Sequence, residues 1–414
     1  MNDVSDISDV WYRSRFTGLF RDFQQVAPRP YDPEVSICTG IVPRLHPEQS
    51  SVWHVGGCGW SDDAAVTACV GEGIERLFAY PTAQDAAIEA SYEKWPLDEP
   101  AIAPERWVLF HPQQYAVDDF PFEPLTGQTR CRWVCFREVS SGEPQWVPEE
   151  FAYLFPRAGC PHRLCPATST GLAAGTAGQP VVLRALQEVI ERDALLGGWW
   201  GTYPVEEFPQ ETAWGDEESL RLQRPNLRWR FFRIQSPFSH HVTMVTVEGE
   251  DREGFCHSLG SACRESRRAS WNKATLEAVQ GRHYVRHLRQ QRAPEVLRPP
   301  LETFADHAVY YSFHREELQR TALNRARPAS EGTAPPDESL AVLCERLRES
   351  SPVLVRNLTP PMLVGKGLDW RVVKVVVPGL QPLHGDDRFA HLGGPLWLPR
   401  ALEEWSEAPP HPFP

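Results

Sequence analysis

Apolar positions recur along the chain with two periods. In GGCGWSDDAAVTACVGEGIERL, Val66, Val70, Ile74 and Leu77 repeat at helical spacing and form one apolar stripe, leaving Glu72 and Glu75 off it. In STGLAAGTAGQPVVLRALQEVIERDA, Leu183, Leu186 and Ile190 do the same, with Glu188 and Glu191 on the other face. A third helix is predicted in GSACRESRRASWNKATLEAVQGR, whose stripe is less regular. Between residues 203 and 260 the period shortens: RWRFFRI and HVTMVTVEG read as strands separated by charged turns, and RVVKVVV, further on, reads as a late core strand. The segment 324–338, NRARPASEGTAPPDE, mixes proline, glycine, serine and charge and is expected to be a mobile loop. The pattern predicts a single α+β domain over 51–414 behind an N-terminal lead-in over 1–50.

The three helices share more than a period. Each follows small residues and carries acidic or amide groups three positions apart beside an arginine: Glu72, Glu75 and Arg76; Glu188, Glu191 and Arg192; Glu277, Gln280 and Arg282. In the first two, a glycine (Gly59, Gly175) stands thirteen residues before the first glutamate. A single helix of this kind reads as a solvated face whose carboxylates pair with arginines. Three copies change the reading, because carboxylates gathered on one face repel unless a cation separates them. Mg²⁺ takes hard oxygen ligands and is usually held by a few carboxylates together with substrate phosphates. Arginine supplies a fork for phosphate oxygens, a role open to Arg282 and to Arg76 or Arg192. Neither a Walker A loop nor a G-x-G-x-x-G is present, so the expectation is phosphoryl-transfer equipment without a P-loop.

Composition removes several classes. At 414 residues, 41% apolar and 23% charged, the chain has ordinary globular make-up, and a net charge of −13 argues against broad attraction to nucleic acid or anionic membranes. MNDVSDISDVWY lacks the basic and apolar regions of a secretory signal, and no run approaches the roughly 20 apolar residues needed to cross a bilayer, so a cytoplasmic location is expected. The ten cysteines then read as free thiols. Neither Cys131 and Cys135 nor Cys160, His162 and Cys165 has the paired spacing of a structural zinc site. His283 and His287, one helical turn apart, are expected on a solvated helix face.

Taken together, the three helical segments resemble the YcaO family of ATP-dependent enzymes that modify peptide backbones. Four further stretches resemble that family in order: SRFTGLFRDF, WVPEEFAYLFP, FADHAVYY and VVKVVVPGLQPL, so the likeness spans about residues 13–414. It implies that Glu72, Glu75, Glu188 and Glu191 hold the Mg²⁺ of Mg-ATP and that Gln280 and Arg282 belong to the nucleotide site, with Glu277, Gln187 and Ser169 as neighbours. Two positions depart from the pattern: Ala68 stands where the family usually has serine, and Cys58 where its G-G-K-G has lysine.

The final EAPPHPFP, taken alone, is a stiff solvated rod, since proline fixes φ and removes a donor. Family members that make azolines resemble this chain there, with P-x-P-x-P matched by Pro410, Pro412 and Pro414. The resemblance implies a tail that reaches into the catalytic site, where the Pro414 carboxylate orients or deprotonates the peptide. The implied activity is cyclodehydration of Cys, Ser or Thr residues of a ribosomally made precursor peptide to thiazoline or oxazoline. Thioamide or amidine formation within the same family and a non-catalytic peptide-binding scaffold are the alternatives. The first motif begins near residue 56, so the leader-binding E1-like (ocin-ThiF-like) protein is expected to be separate. A flavin dehydrogenase is a further expected partner, and a homodimer the expected assembly.

Overall fold

The computed structural model describes residues 18–43, 53–82, 85–154, 157, 163–329, 334–364, 369–398 and 400–413. Three sheets organise them. The first is an antiparallel meander of β1 (Asp22–Gln25), β2 (Ser36–Val42) and β3 (Trp53–Gly59). β4 (Ile88–Ala90), β5 (Cys131–Glu138), β6 (Pro144–Pro148) and β7 (Leu172–Thr176) enter a second sheet together with two later strands, β13 (Leu354–Asn357) and β14 (Trp370–Val376). Its order is β4-β5-β13-β14-β7, with β6 also paired to β5. The third sheet comprises β8 (Val205–Phe208), β9 (Arg228–Ile234), β10 (Val242–Asp251), β11 (Gly254–Cys263) and the short β12 (Arg327–Pro328). Its order is β11-β10-β9-β8-β12.

The thrice-repeated sequence pattern is a thrice-repeated strand-to-helix unit. β3 leads into α1 (Asp62–Phe78), β7 into α2 (Val181–Trp199), and β11 into α3 (Arg267–Gln291). Ser61 and Ser266 cap α1 and α3 by accepting the Ala64 and Ala269 N–H groups, which satisfies donors the first turn leaves orphaned. The small residues ahead of these helices let strand and helix backbones meet. A Cβ on Gly57 would lie 2.2 Å from the Cys69 nitrogen, and one on Gly260 would lie 2.1 Å from the Ala274 carbonyl oxygen. Two shorter helices, α4 (Phe304–Phe313) and α5 (Leu340–Leu347), complete the helical layer used below.

The core sits around α2. Leu186, Ile190, Leu195 and Trp199 join Phe232, Met244, Val375, Trp397 and Phe413 in one buried cluster. The sequence-predicted α+β class holds, and no described helix is long and apolar enough to cross a membrane. The boundary expected at residue 50 falls inside the first sheet, because β1 and β2 belong to the same meander as β3. The expected loop 324–338 is pinned where it is described. Arg327 and Pro328 pair with Glu206 and Glu207, while Glu338 is buried, accepts the Ser239 hydroxyl at 2.6 Å and pairs with Arg346 at 2.5 Å. α3 lacked a regular stripe because two of its buried positions are arginines. Arg282 and Arg286 both reach Asp251, at 2.9 and 2.7 Å, and Arg286 also pairs with Asp32.

Candidate functional site

α1, α2 and α3 converge on one cavity of about 1840 Å³. Glu72, Glu75, Glu188, Glu191, Glu277 and Gln280 all line it, so residues spread over more than two hundred positions of sequence meet in one place. From α1, Glu72 accepts the Gly56 N–H at 2.9 Å and lies 3.5 Å from Arg76, which is also 3.6 Å from Glu75. Gly56 serves twice: a Cβ there would come within 2.7 Å of the Gln280 side-chain nitrogen, so its bare backbone lets α3 reach the mouth of α1. From α2, Glu188 pairs with Arg192 at 3.8 Å. Glu191 is buried and held at both oxygens, by the Ser261 hydroxyl at 2.6 Å and the Cys263 N–H at 3.0 Å. From α3, Glu277 pairs with Lys273 at 3.0 Å.

The carboxylates feel one another across helices. Burial raises Glu75 well above the usual carboxylate range; Arg76 opposes this and Glu188 adds to it. Burial also pushes Glu188 up to about 7, against Arg192 and with a contribution from Glu191. Glu191 is raised by burial and then by Glu277 of α3. Behind them lies Lys374 on β14, buried and donating to the Thr168 and Thr170 carbonyls at 3.1 and 2.7 Å. Burial pulls its ammonium down to about 8, while Glu188 and Glu75 act in the opposite sense. Such a cavity favours a hard divalent cation, which lets the acids ionise together, and the cationic groups beside them suit phosphate oxygens. The chemistry of this donor set fits Mg²⁺: Glu72, Glu75 and Glu188 would supply its oxygens, with Glu191 oriented by its two donors.

Other sequence candidates divide between the cavity and its surroundings. Arg282 does not line the cavity: its guanidinium points to Asp251 and to the Gly249 and Cys256 carbonyls. Gln187 is fully buried beside the cavity wall, its side-chain oxygen accepting from Arg184 at 2.8 Å. Ser169 is half-buried outside the cavity lining, its carbonyl taken by the Leu172 N–H at 2.8 Å. Cys58 lines the cavity but burial pushes its thiol up to about 12, so it offers no thiolate at neutral pH. Ala68 and Thr67 both line the wall. His283 and His287, expected on a solvated helix face, both line the cavity, His287 exposed and His283 half-buried facing Asp32 at 3.7 Å. Cys160 and His162 lie outside the described residues, and Cys165 is buried. Sequence reading missed Arg184, Ser261, Arg264 and Lys374. The first three occur within segments already singled out, and Lys374 is the charge flanked on both sides by valines in RVVKVVV.

The tail is built in. Pro409, Pro410 and Pro412 lack N–H groups and the Phe413 N–H turns to His411 Nδ1 at 3.3 Å, so the demand for outside partners falls mainly on the carbonyls, and three in succession have them. Trp199 donates to the Pro409 carbonyl at 2.9 Å, the Tyr311 hydroxyl to that of Pro410 at 2.6 Å, and His307 Nδ1 to that of His411 at 2.7 Å. Phe413, only 1% exposed, then reaches the carboxylate cavity as part of its lining. Pro414 lies outside the described residues.

Comparison with known proteins agrees with this architecture. A family model described as YcaO cyclodehydratase, ATP- and Mg²⁺-binding, matches residues 56–381. No curated protein matches the chain. Among solved structures, a heterocyclase in complex with substrate and cofactor is similar over 92% of this chain and 52% of its own, with a TM-score of 0.72 and 16% identity. The chain thus spans about half the length of that heterocyclase. YcaO from Methanopyrus kandleri, bound with AMPPCP and Mg²⁺, is similar over 91% of both chains, with a TM-score of 0.58 and 20% identity. A chain of the E. coli microcin synthetase McbBCD complex is similar over 95% of this chain and 96% of its own, with a TM-score of 0.64 and 14% identity.

Proposed function

Because the chain belongs to the YcaO family, we propose that it uses ATP and Mg²⁺ to cyclodehydrate Cys, Ser or Thr residues of a precursor peptide to azolines. The observation that carries this reading is the entry of the tail into the carboxylate cavity: Phe413 contributes to the same wall as Glu72, Glu75 and Glu188. In the proposed reaction, the side-chain sulfur or oxygen gives up its proton to a base and bonds to the preceding carbonyl carbon. The carbonyl oxygen becomes an oxyanion and takes the γ-phosphoryl group of ATP, releasing ADP. Loss of the amide proton and departure of inorganic phosphate then leave a C=N bond, with net removal of one water from the peptide. Amide oxygen is a poor leaving group and phosphate a good one, which is why a nucleotide is required.

Mg²⁺ would supply charge neutralisation at the phosphates. The chain's own groups have separable tasks in this scheme. Glu72, Glu75 and Glu188 hold the metal, Ser261 and the Cys263 N–H fix Glu191 beside them, and Arg192 and Lys273 lie within the cavity for anionic oxygens. The P-x-P-x-P end, Pro410, Pro412 and Pro414, is assigned to orienting the peptide. Similarity to a chain of a multi-subunit synthetase supports a partner that presents the precursor, here proposed as a separate E1-like protein, with a flavin dehydrogenase acting later.

The test is intact mass of a candidate precursor after incubation with this protein, its leader-binding partner and Mg-ATP. Loss of one water per modified residue, dependent on ATP, is expected. Exchange of oxygen for sulfur when sulfide is supplied would replace the azoline reading by thioamide formation. An unmodified precursor in the presence of hydrolysed ATP would remove cyclodehydration of that peptide.

A further inference from the structure

A second cluster of chemically capable side chains lies where the tail is held. His307 on α4, His384 beyond β14 and His411 of the tail are all buried, and one ring nitrogen of each lies within 4.8 Å of the others. Asp387 joins them. The His307 Nδ1 sits 2.7 Å from the His411 carbonyl oxygen. An acceptor at that position makes Nδ1 the protonated nitrogen, so the neutral ring turns the lone pair of Nε2 the other way. That lone pair faces Asp387 Oδ1 at 3.5 Å, and His384 Nε2 faces the same oxygen at 3.4 Å.

None of these three atoms makes a hydrogen bond to a described residue, although all three are buried. The lone pairs of His307 Nε2 and of the Asp387 carboxylate converge in a dry site and repel, and buried polar atoms left without partners are costly. We propose that His307, His384 and Asp387 bind a divalent transition metal ion of the zinc type. Two ligands each about 2.1 Å from a tetrahedral ion stand about 3.4 Å apart. The 3.5 and 3.4 Å separations from Asp387 match two of the three such edges.

The outer shell agrees. The His307 Nδ1–H is fixed by a backbone carbonyl, and Asp387 Oδ2 accepts the Leu301 N–H at 2.8 Å, the arrangement that orients metal ligands. Two imidazole nitrogens and one carboxylate select a zinc-like ion over Mg²⁺, which the carboxylate cavity suits. The His411 ring stacks on that of His307 with centroids 4.0 Å apart and planes 9° from parallel. The ion therefore fixes the surface on which the tail lies, and does so independently of the reaction proposed above.

The full-length protein, purified with Mg²⁺ in excess to occupy the glutamates, tests this by metal content and by titration with Co²⁺ followed in the visible spectrum. One zinc or cobalt per chain is expected, with a low-symmetry or tetrahedral cobalt spectrum. Glu188→Gln should retain it, while His384→Gln and Asp387→Asn should each weaken binding at least tenfold. Circular dichroism separates loss of fold from loss of ligand, and the wild-type titration stands without any variant. Absence of bound zinc together with absence of a cobalt spectrum in the wild type would overturn the proposal and leave the cluster to buried water. Undiminished binding in both variants would overturn it equally.

Discussion

Replacing Glu188 by glutamine should stabilise the ligand-free protein and abolish its response to Mg-ATP. Burial, partly offset by Arg192 and reinforced by Glu191, pushes this carboxyl up to about 7, against an ordinary value of 4.5. An acid whose folded value is raised favours its protonated form in the fold. Ionisation then costs nothing below about 4.5, becomes destabilising as pH rises from 4.5 to about 7, and stays so above. The gap corresponds to roughly 3 kcal/mol as an upper bound. The side chain keeps 26% of its exposure, so solvent screening reduces this, to about 1–2 kcal/mol. With roughly 2.1 cal/mol/K of unfolding entropy per residue, the variant should melt about 1–2 °C higher at pH 8. The two proteins should coincide near pH 4.5, where the wild-type carboxyl is protonated. Saturating Mg-ATP should invert the order, because a ligand present at a hundred times its Kd adds about 2.7 kcal/mol to the wild type alone. Scanning calorimetry across pH, with and without Mg-ATP, reads both effects. A variant that melts lower than wild type at pH 8 without nucleotide, or that keeps the full Mg-ATP shift, would refute the description of this cavity as a set of mutually repelling acids awaiting a cation.

Tyr311→Phe removes the donor to the Pro410 carbonyl and should cost about 1–2 kcal/mol, with the tail becoming the preferred site of limited proteolysis; unchanged protection would contradict its anchoring. Asp251→Ala strands Arg282 in a buried site and should lower stability by about 3–5 kcal/mol in urea unfolding. A loss well below that would argue that the network is wet rather than dry. Cys58, with its thiol pushed up to about 12, should resist iodoacetamide at pH 8 until the protein is denatured, as read by peptide mass mapping. Rapid native alkylation would show that the cavity holds a thiolate.

Much of the site was legible in the sequence because helix period and acid spacing are local properties. Glu72, Glu75, Glu188 and Glu191 could be placed on helix faces from their neighbours, Glu277 and Gln280 stood out by repeating the same spacing, and all six reach the cavity. Arg282 misled because an arginine beside a candidate amide looks like a phosphate fork, whereas its partner, Asp251, comes from a strand thirty-one positions earlier. Ser261 and Lys374 depend on which strand lies under which helix, information that only tertiary pairing supplies. β1 and β2 lie within the N-terminal fifty residues, and their pairing into one sheet depends on β3, which follows them in sequence. The histidine cluster draws on α4, the segment after β14 and the tail, so no spacing rule could assemble it.

The carbonyl-by-carbonyl anchoring of the tail amounts to a gauge of length. Its three donors sit on α2 and α4 and cannot slide, while a polyproline strand advances about 3.1 Å per residue. Deleting a single residue between Glu407 and Pro409 would put every carbonyl out of step with its donor and withdraw Phe413 by about that distance. Lengthening the same stretch would press the ring further into the space shared with the glutamates. The depth of insertion is thereby metered by counting peptide units, and variation in cavity size among altered versions of this chain should be obtainable there without touching a single acidic residue.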